Sequence, residues 1–397
     1  MNFIVREPLL NAAQQVLGYE LAWHNNVRDG DLPSDEDLLE LAAFVGSQFS
    51  QEDSGWLLND SLLFLEATPA VIASDVVQSL SPKHVVFRLT AADLADEDTL
   101  KTVTALREQG FGIALRDADT LAAGSPLLSL ATHVEGKYSV EEDLLGSYLH
   151  SEQPKRVARH IDDWAECNAC IGAGLDAFIG KLYLTPPPGK EKKGLNASQL
   201  TILQLMQMVK QNADVRALED VLKRDAALSY KLFRYINSVG FGLGAEIQSL
   251  RHAVTMLGYS PLYRWLSLLL ATAGTHEQGA ILMQTAVVRG RFAELAANGI
   301  LPKNEAENLF VVGMFSLLDR LLGIPMEEVL AKIQLSEPVS QALLSREGVY
   351  GPFLALAESL EPDNGDVAAL ADALFINPRQ VNEAHLAALA WAQSIKL

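Results

Sequence analysis

Thr185-Pro-Pro-Pro-Gly-Lys-Glu-Lys-Lys-Gly194 splits this sequence into two halves of different character. Three successive prolines end any helix or interior strand, because each lacks a donor N–H and fixes its own φ. The charged, glycine-flanked stretch behind them has the composition of a linker. The boundary falls near residue 190, with a first domain over 1–190 and a second over 196–397.

Upstream, short apolar runs alternate with amphipathic stretches. Residues 3–7 and 16–23 read as strands joined by a turn at 11–14, and 56–59, 85–89, 112–115 and 133–135 as further strands. Apolar residues at helical spacing run through 35–48, 70–80, 96–109 and 152–168. Strand and helix in alternation, with the strands apolar throughout, predict an α/β fold, a mostly parallel sheet or barrel.

Downstream almost nothing reads as strand. Helical spacing recurs in 200–210, 215–223, 226–239, 249–257, 262–273, 281–298 and 306–322. Asp214, Ser229 and Ser260-Pro261 suit helix starts, while Gly240, Gly258 and Gly299 suit stops. The second half is predicted to be an all-α bundle.

With 49 % apolar and 20 % charged residues, the 397-residue chain can bury two substantial cores and is no candidate for disorder. The net charge is −19 and lies mostly in the first domain, where 13 Lys+Arg face 29 Asp+Glu over 1–190, against 18 facing 21 over the remainder. Such a surface repels phosphate backbones and anionic lipid, so neither nucleic acid nor a membrane is an expected partner. A small local basic patch is compatible with it. The most apolar stretch, 265–273, is far shorter than the ~20 residues that span a bilayer. The first residues lack a basic run followed by an apolar core, so no signal peptide is expected. A cytoplasmic location is the expectation, and two cysteines in the whole chain suit it. Cys167 and Cys170 form one CxxC inside a predicted helix with no second ligand pair, which argues for a structural role over a metal or redox site.

In the first half, Arg6-Glu-Pro-Leu-Leu10 followed by Val16-Leu-Gly-Tyr-Glu-Leu-Ala-Trp23 resembles the opening of an EAL domain. The name glutamate of that family follows a glycine and an aromatic, as Glu20 does here. Trp56-Leu-Leu-Asn-Asp-Ser61, Val85-Val-Phe-Arg-Leu-Thr90, Gly110-Phe-Gly-Ile-Ala-Leu-Arg-Asp117 and Phe178-Ile-Gly-Lys-Leu-Tyr-Leu-Thr-Pro-Pro187 are similar to later family segments. The resemblance implies a (β/α) barrel of a kind that hydrolyses cyclic di-GMP with divalent metals, which activate water and neutralise the phosphodiester.

Position by position, the ligand set implied by the resemblance is altered. Glu20, Asn59 and Asp117 keep ligand-type side chains, whereas Arg88, Arg116 and Arg159 stand where acids are expected. Glu135-Gly-Lys137 inverts both signs of a Lys-apolar-Asp segment, and Ile179 replaces a glutamine. A guanidinium in place of a carboxylate removes a ligand and adds a cation beside the metal. No metal or other cofactor is therefore expected, and the barrel is expected to have lost catalysis. Arg88, Arg116 and Arg159 either pair with Glu20, Asp117 and Glu135 in a static ionic core or grip an anionic ligand, since Arg matches phosphate bidentately.

Residues 196–397 resemble an HDOD domain, the non-enzymatic relative of HD phosphohydrolases. The resemblance rests on Ala226-Ala-Leu-Ser-Tyr-Lys-Leu-Phe-Arg-Tyr-Ile-Asn-Ser-Val-Gly-Phe-Gly242, on Ile247-Gln-Ser-Leu-Arg-His-Ala-Val-Thr-Met-Leu-Gly-Tyr259 and on Phe310-Val-Val-Gly-Met-Phe-Ser-Leu-Leu-Asp319. Ser316 and Leu317 occupy the place of the His-Asp dyad, and the eight histidines are scattered. Asn237-Ser238 and Phe241 read as structural, and Asp319 as a bonding partner for a neighbouring helix.

The combined expectation is a non-enzymatic signalling scaffold linked to cyclic di-GMP, acting by protein contact through the HDOD domain. The alternative is a metal-independent receptor for cyclic di-GMP or another nucleotide at an arginine-rich barrel mouth. Regulatory proteins such as histidine kinases or cyclic di-GMP enzymes are the implied partners, and pairing as a homodimer is implied by analogy.

Overall fold

The computed structural model describes residues 2–24, 33–51, 55–56, 60–116, 125–136, 154–185, 195–236, 249–273, 279–333, 335–361 and 365–394. The chain divides into two compact units, Met1–Pro188 with Ser359–Gly365, and Gly189–Glu358 with Asp366–Leu397. The linker at 186–194 lies outside the described residues.

The first unit is a closed eight-stranded barrel. Its strands are β1 (Ile4–Asn11), β2 (Val16–Trp23), β3 (Leu62–Glu66), β4 (Val85–Thr90), β5 (Gly112–Arg116), β6 (His133–Gly136), β7 (Lys155–Arg159) and β8 (Ala177–Ile179). Strands β2 to β8 run in order around the wall as parallel neighbours, and β1 closes the gap antiparallel to both β2 and β8. Around it lie α1 (Asp35–Phe49), the single turn α2 (Pro69–Ile72), α3 (Glu97–Gln109) and α4 (Trp164–Gly172).

Side chains alternate in and out with a period of two, and this parity sets the lumen. Leu9, Phe64, Val86, Ala114, Val157, Ala177 and Ile179 form its buried apolar floor. Each of the larger ones is worth ~1.5–3 kcal/mol on burial. Strands β2 and β3 approach closely at Gly18, where a Cβ would run into the Leu62 carbonyl.

Three local expectations for this unit change. Residues 70–80 do not form one helix, because the Ser74 hydroxyl bonds back to the Val71 carbonyl at 2.7 Å and the chain restarts as a 3-10 turn at Asp75–Ser79. Residues 152–168 are not helical throughout: Lys155–Arg159 is strand β7, which sets Val157 into the floor. Helix α4 starts only at Trp164, after the Asp163 side chain accepts from the Glu166 N–H. The barrel strand near residue 60 is Leu62–Glu66, while Gly55–Trp56 pairs with Ser50–Gln51 in a separate two-stranded ladder.

Ser359–Gly365 belongs to the barrel unit although it lies far along the chain. The Arg6 N–H donates to the Leu360 carbonyl at 3.1 Å, and the buried Arg6 and Glu361 side chains pair at 3.4 Å.

The second unit is helical: α5 (Ala197–Lys210), α6 (Val215–Leu222), α7 (Ala226–Ile236), α8 (Leu250–Leu257), α9 (Tyr259–Thr272), α10 (Gly279–Ala296), α11 (Lys303–Phe315), α12 (Leu318–Leu322), α13 (Met326–Lys332), α14 (Glu337–Ser345), α15 (Gly351–Ser359), α16 (Val367–Ala373) and α17 (Pro378–Ser394). Asn196 starts α5 with a reciprocal capping box, accepting from the Gln199 N–H and donating its own to the Gln199 side chain. Ser229 is not a start. It lies inside α7, and Asp225 accepts from the Leu228 N–H instead.

Helix α10 packs against α11 and α17. The α10–α11 crossing brings backbones together at Gly290 and Gly313, where a Cβ on Gly313 would meet the Gly290 backbone. The expected 306–322 helix breaks after Phe315, where the Ser316 hydroxyl donates to the Gly313 carbonyl at 2.7 Å and accepts from Arg289 at 3.2 Å.

Candidate functional site

One step beyond the apolar floor, at the C-terminal ends of the parallel strands, the lumen side of the barrel turns ionic. Two residues on from Phe64, Val86, Ala114 and Val157 come Glu66, Arg88, Arg116 and Arg159. Glu20 follows Gly18 by the same step, Glu135 follows His133, and Glu7 precedes Leu9 because β1 runs the other way. The same two-residue parity therefore gathers three guanidiniums and four carboxylates at one end.

Arg88 is the hub. Its Nε and Nη2 donate to the two oxygens of Glu135 at 2.9 and 2.8 Å, and its Nη1 meets Glu20 at 2.5 Å and Glu66 at 3.1 Å. Arg159 Nη1 bridges Glu20 at 2.7 Å and Glu135 at 3.2 Å. Arg116 Nη1 reaches Glu66 at 2.8 Å, and its buried Nε has no acceptor among the described residues. Glu7 stands opposite Glu20 across the β1–β2 pair.

The protonation states follow. Burial works against ionising Glu135, yet the Arg88 and Arg159 guanidiniums overcome it and hold the carboxyl down at about 2. Burial raises Glu66 above the usual carboxylate range despite Arg88 and Arg116. Glu7 is pushed up to about 7, chiefly by burial and then by the Glu20 charge, with Arg159 and Lys181 pulling the other way.

Of the residues singled out in sequence, Glu20, Arg88, Arg116 and Arg159 meet here, whereas Asn59 and Asp117 lie outside the described residues. The arginines pair with Glu20, Glu66 and Glu135. Glu66 and Glu7 escaped the sequence reading. The signal for Glu66 was the Leu62-Leu-Phe-Leu-Glu66 alternation, which sets it on the Phe64 side.

The residues at this end do not fit a divalent pair. Glu20, Glu66 and Glu135 are each taken by a guanidinium, and among the described residues no group of three His, Cys, Asp or Glu side chains could hold a metal ion. Cys167 and Cys170 are buried free thiols on α4, pushed up to about 11 and about 12, mainly by burial. In the helical unit, Asp319 has a buried Oδ1 without a hydrogen-bond partner among the described residues. Asn237, Ser238 and Phe241 lie outside the described residues.

Residues 195–332 match the HDOD domain family. A protein of Vibrio cholerae named cyclic di-GMP phosphodiesterase CdgJ is 26 % identical over 380 residues, covering 91 % of this chain and 85 % of that protein. The helical half is thus similar to an HDOD domain. YuxH of Bacillus subtilis is 22 % identical to this chain over 419 residues, covering 99 % and 98 % of the two. Among solved structures, the PaMucR phosphodiesterase in complex with cyclic di-GMP matches 50 % of the chain and 93 % of its own at 16 % identity, with a TM-score of 0.34.

One expectation is overturned. The arginines at the ligand positions of the barrel predict loss of catalysis, yet the Vibrio cholerae relative aligned along both halves is named a phosphodiesterase. The substitutions speak to how charge is handled at the barrel end and do not exclude an activity. No helix among the described residues is long and apolar enough to cross a membrane.

Proposed function

We propose that this protein works in cyclic di-GMP signalling by taking the nucleotide at the charged end of its barrel. In this reading Arg116 and Arg159, the more open of the three guanidiniums, meet the phosphodiesters in the role that metal ions fill elsewhere, with the buried Arg88 holding the carboxylates behind them. The observation that supports it most is the convergence of three guanidiniums on one rim, with one buried N–H, Arg116 Nε, left without an acceptor among the described residues. A buried donor of this kind costs ~1–3 kcal/mol until something accepts from it.

Glu7, at about 7, is the carboxyl of this rim that exchanges a proton near neutrality, the property that a general acid or base needs. The HDOD half would pass the outcome on by contact with regulatory proteins, such as histidine kinases or cyclic di-GMP enzymes.

The test is calorimetric titration of cyclic di-GMP into the full chain with Mg²⁺ and again in EDTA, with the linear dinucleotide product assayed in the same samples. Micromolar binding that survives EDTA is expected, and absence of heat in both buffers overturns the reading. The product assay is included because hydrolysis is the activity for which the Vibrio cholerae relative is named.

A further inference from the structure

The helical unit holds a cleft of about 780 Å³ whose character runs against that of the chain. It opens between α9, α10 and α11, with the residues just before and within α14 closing one side. In a protein of net charge −19, Lys210, Arg264, Arg291 and Lys303 line this cleft against only two carboxylates, Glu294 and Glu307. Both carboxylates are engaged. Glu294 takes Arg264 through two bonds of 2.7 and 2.9 Å and Arg291 through one of 2.7 Å, while Glu307 accepts the Ser260 hydroxyl at 2.6 Å. Two guanidiniums on one carboxylate leave a positive charge over.

These guanidiniums are held in place. The Arg264 Cζ sits 3.7 Å from the centre of the Phe310 ring, and the Arg291 Cζ lies 5.5 Å from that of Trp391. The Nε–H of Arg264 and that of Arg291 are both buried and have no acceptor among the described residues. Their Nη groups carry the bonds to Glu294, and the charge in excess over that carboxylate remains at the cleft.

The remaining walls carry Tyr259, Tyr263 and Asn308. Tyr259 is pinned by its hydroxyl to the Ala213 carbonyl at 2.7 Å, and Asn308 donates to Tyr350 at 2.9 Å. Fixed aromatic faces and an oriented amide suit a planar ring, and the volume exceeds what a lone phosphate fills. We propose that this cleft binds a nucleoside phosphate, its phosphates on Arg291 and Lys303 and its base against Tyr259 and Tyr263. This site is separate from the barrel and stands without the reading of the barrel given above.

The experiment is calorimetry on the full chain with GDP, ADP and inorganic pyrophosphate, each titrated alone without metal. At least one nucleoside diphosphate is expected to bind with micromolar affinity and at least about tenfold tighter than pyrophosphate. Arg291→Ala and Lys303→Glu should each weaken it by about tenfold or more, and Lys303 is exposed, so that variant keeps its fold. Arg116→Ala, at the barrel, should leave it unchanged. The proposal is overturned if neither diphosphate binds, if pyrophosphate binds as tightly, or if Lys303→Glu has no effect.

Discussion

Arg88 grips Glu135 through Nε and Nη2 at 2.9 and 2.8 Å, both side chains almost wholly shielded from water. In that setting the pair is a commitment of the fold. Removing either partner leaves the other buried with fewer opposite charges than it needs. Arg88→Ala leaves Glu20, Glu66 and Glu135 to Arg159 and Arg116 alone, so a loss of roughly 3–5 kcal/mol is expected. Urea unfolding measures it, and a midpoint unchanged from the parent would show that the network is not buried in solution.

Glu7 makes stability depend on pH with an unusual sign for a carboxyl. Its folded value of about 7 lies above the ordinary 4.5, so the folded state holds this proton more tightly than the unfolded chain does. The stabilising contribution is complete below 4.5 and is lost as pH rises to about 7, by about 3 kcal/mol at most. Glu7→Gln should match the parent at pH ~4 and exceed it in melting temperature at pH ~8. A Gln variant less stable than the parent at the higher pH contradicts this.

Arg116 is the least constrained of the three rim arginines, about a quarter exposed and paired only with Glu66 among the ion pairs described. Arg116→Ala should therefore change stability by no more than ~1 kcal/mol. In the reading proposed for the barrel, it should weaken cyclic di-GMP binding about tenfold or more. Thermal melting and calorimetry on the same preparation separate the two effects.

Gly313→Ala pits helix propensity against packing. In an isolated helix the change gains ~1 kcal/mol. Here the added methyl enters the Gly290 backbone, so a net loss of about 1–3 kcal/mol is expected as α10 and α11 are forced apart. A more stable Ala variant would place the crossing elsewhere.

Cys167 and Cys170, with thiols at about 11 and about 12, should resist alkylation in the native protein at pH ~8 and react fully once it is unfolded. Fast native labelling of either would mean that α4 opens.

The barrel and the bundle were legible because their periods differ: Val85–Thr90 is apolar at each step up to Arg88, whereas 281–298 repeats with helical spacing. Lys155–Arg159 reads as helix because its basic residues fall at 155, 156 and 159, a helical spacing around Val157 and Ala158, and its pairing with β6 and β8 makes it strand. At the site, the arginines announced themselves by charge in apolar strands. Glu66 and Glu7 did not, because each sits at the end or middle of a strand where one acid is unremarkable. Their meaning comes from the parity of strands far apart in sequence.

That distance has a cost in time. Strand β1 pairs with β8 through Leu9–Ile179, Leu10–Phe178 and Asn11–Ala177, and this pairing closes the barrel. During synthesis at ~5–20 residues per second, the β1–β2 hairpin waits on the order of ten to thirty seconds for its second neighbour to be made. Through that interval it offers an unpaired edge rich in Leu and Val, open to other nascent chains. Growth temperature and expression rate, more than final stability, should then decide how much of this protein is recovered intact.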